Sequence, residues 1–179
     1  MTLDVDCPRR RVTRLAVAAA TVALAGSLLA GPGRAGVSSV AACSPHTTVV
    51  WLESRGEPGA GSVYYTVGLT NLSQRSCSLH GYPGVSAIDV AGQQLGSAAG
   101  RNARFPVQTI VLAPGASGRF LLQVNEPGFF TKTACGAAAR AAGLRVFLPG
   151  ATTSSVVPVP LGACSRTGPV FLHATAVTT

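Results

Sequence analysis

"TNLSQRSCSLHGYPGV", residues 70–85, is the stretch on which the reading of the fold turns. Thr70-Asn71-Leu72-Ser73 ends an apolar alternation with side chains that bond their own backbone and so make a turn. Cys77 and Leu79 then share one face of an extended segment, and Gly81-Tyr82-Pro83-Gly84 turns the chain again. A bridged Cys77 would fix the reversal covalently. Tyr82 offers a ring to cover the corner of a sheet layer and a hydroxyl for a backbone partner. Two turns in sixteen residues leave room only for short strands.

The same punctuation runs outward from there. Beyond the first 35 residues, Pro-Gly pairs recur at 58–59, 83–84, 114–115, 127–128 and 149–150. Proline presets φ at the first turn position, and glycine accepts a positive φ at the second. Between the turns, period-two alternation predicts strands near 47–53, 63–70, 84–90, 93–98, 107–112, 117–125, 143–148, 155–161 and 169–177. Val63, Tyr65, Val67 and Leu69 share one face, as do Phe120, Leu122 and Val124, with Arg119 and Gln123 opposite. Pro158 and Pro160 cannot donate to a ladder, so their strand is expected at an edge. Only "TACGAAARAAG", residues 133–143, reads as helical, a crossover of a turn or two stopped by Gly143. The fold class expected is all-β, an antiparallel sandwich with at most one short helical crossover.

Residues 1–35 read as a signal peptide. Arg9 to Arg14 give a positive start, Leu15 to Ala30 a sixteen-residue apolar core, and Gly33-Arg34-Ala35 the small residues of a cleavage site. That core is short of the roughly 20 residues of a membrane span, so no stable transmembrane segment is expected after processing. "RRRVT" is a loose relative of a twin-arginine signal, with Sec export the simpler reading. Residues 36–45 are expected to be a flexible lead-in and 46–179 the β-sandwich domain.

Charge and cysteine usage narrow the class further. Net charge is +8, but five arginines and two aspartates of the first 35 residues carry +3 of it. The remaining +5 is scattered and forms no basic stripe, so nucleic acid is not expected as a partner. Of five cysteines, Cys7 leaves with the leader. Cys43, Cys77, Cys135 and Cys164 remain, an even set suited to two disulfides in an oxidising compartment. Three connectivities exist. Cys43–Cys77 with Cys135–Cys164 is favoured because each closes a loop of about 30 residues, contributing about 3 to 4 kcal/mol. "VAAC", residues 40–43, also resembles a lipobox, which would anchor the chain through Cys43, although it lies far beyond the apolar core.

The opening string, followed by "LAPG" at 112–115, a cysteine at 135, "LRVFLPG" at 144–150 and "AC" at 163–164, resembles an actinobacterial family of exported domains, domain-of-unknown-function family 4232. The resemblance covers about residues 43–177. It implies a secreted or lipid-anchored protein with an immunoglobulin-like sandwich and no assigned activity. No catalytic residues carry over.

Nor do the residues themselves spell out a catalyst. Past the leader the carboxylates are Glu53, Glu57, Asp89 and Glu126 and the histidines His46, His80 and His173. Glu53 and Glu57 sit in "ESRGEPG", a solvated loop by composition rather than a glycosidase pair. Ser86 and Ser117 both miss the nucleophile-elbow pattern. Cys43-Ser-Pro-His46 has a ligand-like spacing, yet zinc needs three or four ligands and reduced thiolates. Gly92, Gly96 and Gly100 lack a phosphate-loop context, so neither metal nor cofactor is expected. Asn71-Leu72-Ser73 satisfies the glycosylation pattern and reads as turn chemistry.

Surface contact is what remains. Phe129 and Phe130 are adjacent, and neighbours on a regular strand cannot both face inward, so one is a candidate partner contact. Trp51, the lone tryptophan, is expected in the core. The function expected is that of an exported, non-catalytic accessory or binding module at the cell envelope, its partner an anionic wall polymer or an envelope protein. The alternatives are a secreted hydrolase drawing on Glu53, Asp89 or Glu126 with a histidine, and a purely structural surface domain.

Overall fold

The computed structural model describes residues 39–179, so the leader expected over 1–35 lies outside the described residues. The strands are β1 (Thr48–Leu52), β2 (Glu57–Gly59), β3 (Ser62–Asn71), β4 (Cys77–His80), β5 (Gly84–Ile88), β6 (Gln94–Leu95), β7 (Gly100–Asn102), β8 (Thr109–Leu112), β9 (Ser117–Asn125), β10 (Ala138–Phe147), β11 (Ser154–Cys164) and β12 (Leu172–Thr175). One short helix, α1 (Lys132–Cys135), precedes β10.

Three sheets result among the described residues. The six-stranded sheet has the order β1-β3-β9-β12-β7, with β2 also paired to β3. The four-stranded sheet runs β11-β10-β5-β6, and β4 pairs with β8. Alternation puts Tyr65, Val67 and Leu69 of β3 and Phe120, Leu122 and Val124 of β9 inward from the first sheet. Val85, Leu144, Val146, Val157 and Leu161 enter the same core from the second sheet, and Leu79, Ile110 and Leu112 from the third. Pro158 and Pro160 lie exposed on β11, which is an edge strand as their missing N–H groups require.

Both disulfides form, Cys43–Cys77 and Cys135–Cys164. The first engages the Cys43 sulfur, which leaves none for a lipid thioether. Residues 41–43, expected within the lead-in, are held against β4: Ser78 N–H donates to Ala41 O at 2.8 Å and Cys43 N–H to Ser78 O at 2.9 Å.

Three expectations need correction. The alanine-rich segment is not a helix over 133–143. α1 stops at Cys135, Gly136 takes φ +74°, and Ala138–Phe147 becomes the strand between β11 and β5. Pairing of Ala138–Ala141 with β11, continued by a strand paired on both edges from Gly143, overrides the local preference of alanine for helix. Secondly, not every pairing is antiparallel, because β12 runs parallel to β7, with His173 opposite Gly100. The third correction is Trp51, which lies on the outer surface.

Candidate functional site

The loop after β9 sorts the two phenylalanines. Glu126 N–H donates to Gly61 O at 3.0 Å, and Pro127–Phe129 form one 3-10 turn closed by Phe130 N–H on Pro127 O at 3.1 Å. Phe130 is half-buried against the core, whereas Phe129 is 75% exposed. The Phe129 ring lies over Gly61, where an added Cβ would meet its Cε2 at 3.1 Å. The loop therefore presents one ring on a backbone fixed at both ends.

Glu53, Asp89, His80 and Glu126 each face a different structural partner. Glu53 Oε1 meets Arg119 at 3.7 Å on an open surface. Asp89 Oδ1 accepts from Ala91 N–H at 2.9 Å and Gln93 N–H at 2.8 Å, which shapes the β5–β6 turn. His80 Nδ1 lies 3.1 Å from Thr109 Oγ1, and His46 is exposed beside the first disulfide. Glu126 faces Tyr65, whose phenol is pushed above its ordinary range by burial first and by this carboxylate second. Ser86 is buried, and the Ser117 hydroxyl is bonded to Thr70 Oγ1 at 2.8 Å. Among the described residues no three of His, Cys, Asp and Glu converge as metal ligands.

Asn71 of the glycosylation pattern is fully buried. Its Nδ2 donates to Arg75 O at 2.8 Å and Leu112 O at 3.0 Å, while its Oδ1 accepts from the Ser73 hydroxyl at 2.8 Å. The nitrogen that would carry a glycan is thus part of the fold.

Sequence reasoning missed the outer face of the six-stranded sheet, which register assembles into rows. Residues directly opposite on neighbouring strands share a face. Glu57, Tyr64, Gln123 and His173 form one such row across β2, β3, β9 and β12. Thr66 and Leu121 form the next, and Trp51, Gly68 and Arg119 a third. Trp51 is 39% exposed, and its Nε1–H donates to Thr70 Oγ1 at 2.9 Å. A cleft of about 330 Å³ opens on this face, lined by Glu57, Pro58, Tyr64, Thr66, Arg104 and Leu121. A second cleft, about 360 Å³, lies between the β5–β6 turn and the β10–β11 edge. It is walled by aliphatic side chains such as Val90 and Val156, with Asp89 already committed to backbone donors.

A family model described as "Domain of unknown function (DUF4232)" matches residues 43–178. No curated protein matches the chain.

Proposed function

From the premise that the chain belongs to this domain-of-unknown-function family, we propose that it is a non-catalytic binding module of the cell envelope, exported after removal of residues 1–35. Exposure of Phe129 carries the reading. A large ring 75% open to solvent, seated over Gly61 on a hydrogen-bonded turn, is apolar surface held ready for a partner. Two disulfides support an oxidising compartment, and the layered sheets with a common core support the immunoglobulin-like arrangement expected from the resemblance. The scattered +5 beyond the leader favours approach to an anionic envelope surface, with the apolar contact at Phe129 supplying specificity to a wall polymer or envelope protein.

The test is co-sedimentation of the purified chain with native cell envelope. Wild type is expected in the pellet, and Phe129→Ala to lower recovery by about fivefold or more with an unchanged thermal midpoint. Equal recovery of the two proteins removes Phe129 as the contact.

A further inference from the structure

We infer that the outer face of the six-stranded sheet binds a neutral polysaccharide chain, with Trp51 and Tyr64 as its stacking platforms. This rests on the binding-module reading and gives that module a ligand class on a second surface.

The first observation is how Trp51 is seated. An added Cβ on Gly68 would meet Cε2, Nε1 and Cζ2 of the indole at 2.5, 2.7 and 2.8 Å. Three ring atoms at nearly equal distance mean that the ring lies across the glycine, with one face on the sheet and the other outward. Its Nε1–H is held by Thr70 Oγ1, which in turn meets Ser117 Oγ at 2.8 Å. The indole is therefore fixed before any ligand arrives, which removes part of the ordering cost of binding.

Tyr64 supplies the second ring. Its edge meets Gly59, whose added Cβ would stand 2.6 Å from Cε2 and 3.3 Å from Cδ2. Tyr64 and Gly68 point to the same side of β3, four residues apart and so about 13 Å from each other. Two rings at that separation along one sheet face suit an extended chain rather than a single small molecule. The cleft between the β2 hairpin and Arg104 adds Glu57 and Thr66 as polar partners along the path.

Charge selects among chains. Glu53 is matched by Arg119 at 3.7 Å, and Glu57 shares its cleft with Arg104, so the face balances two carboxylates with two guanidinium groups. A polyanion would meet both carboxylates here. A neutral sugar chain instead offers C–H faces to aromatic rings and hydroxyls to carboxylate, guanidinium and amide groups. The face also adjoins the proposed contact, since Tyr64 and Phe129 meet Gly59 and Gly61 of the same hairpin.

The experiment titrates the full chain with cellohexaose, chitohexaose and mannohexaose, with polyphosphate as the anionic probe. Trp51 is the only tryptophan, so its emission reports on this face alone, and calorimetry tracks the variants. At least one neutral oligosaccharide is expected to shift the emission saturably, with an affinity that added salt leaves unchanged. Trp51→Ala is expected to weaken binding by about tenfold or more, and Trp51→Tyr to recover part of it. Tyr64→Ala, which leaves the indole seat intact, gives an independent loss. The inference is overturned if none of the three sugars binds, if Trp51→Ala and Tyr64→Ala bind as wild type does, or if polyphosphate alone binds and salt releases it. Absent sugar binding with Phe129-dependent envelope recovery intact rejects the glycan but leaves the binding module standing. Loss of both rejects both.

Discussion

Asn71 Nδ2 donates to the Leu112 carbonyl at 3.0 Å, joining the end of β3 to the end of β8 across 41 positions of sequence. The same nitrogen reaches Ala113 O at 3.3 Å, and Gly115 N–H returns to Asn71 O at 2.7 Å. "TNLS" and "LAPG" are thus two halves of one junction centred on the buried Asn71 side chain, and both belong to the folding of the β4–β8 pair. Asn71→Asp keeps the shape and the acceptor for Ser73 but replaces the donor with an oxygen facing carbonyls. It is expected to cost about 3 kcal/mol, read as a lower denaturant midpoint at unchanged m-value.

Thr48 stands opposite Asn71 in the β1–β3 register and is 3% exposed, and its Oγ1 has no hydrogen-bond partner. A buried hydroxyl without a partner loses its water and regains nothing. Thr48→Val keeps the branched shape suited to a strand and removes that loss. The variant is expected to gain about 1 kcal/mol by chemical denaturation, and a lower midpoint would show that the hydroxyl is satisfied in solution.

How far the sequence can be read varies with the physics that decides each segment. In β3 and β9 polar and apolar residues alternate, so the period alone places Val67, Leu69, Phe120 and Leu122 inward. "TVVWL" in β1 is apolar or nearly so on both faces, and period two cannot say which side Trp51 takes. That choice is made by pairing with Gly68, a contact 17 residues away that no local pattern contains. The alanines of 138–142 prefer helix locally, but residues 138–141 pair with β11, the register shifts past Ala142, and residues 143–147 pair with both β11 and β5. Phe129 and Phe130 are recognisable from sequence as incompatible neighbours. Which of them is exposed depends on the 3-10 turn and on Gly61, which the sequence does not display.

The Cys135–Cys164 bridge, 29 positions apart, ties the end of α1 to the end of β11, where Ala138 pairs directly with Cys164. It constrains the unfolded chain and also starts the β10–β11 ladder. Replacing both cysteines by alanine is expected to lower stability by about 3 kcal/mol, with hydrogen exchange rising first at 138–141. Uniform exchange across β10 would show that the bridge acts on the unfolded chain alone.

Tyr65 gives the domain an alkaline limit. Its phenol is buried, and burial followed by the Glu126 carboxylate raises its pKa above the ordinary 10.0. Below the ordinary value the phenol is protonated whether the chain is folded or not, so it leaves stability independent of pH. As pH rises beyond that value the unfolded chain releases the proton before the folded chain does, and stability falls until the folded pKa is passed. Urea midpoints measured from about pH 8 to about pH 11 should therefore decline more steeply for wild type than for Tyr65→Phe, at about 1.4 kcal/mol for each unit by which the pKa is raised. Glu126→Gln removes the smaller cause and is expected to fall between the two. Parallel curves for wild type and Tyr65→Phe would place the alkaline transition elsewhere in the molecule.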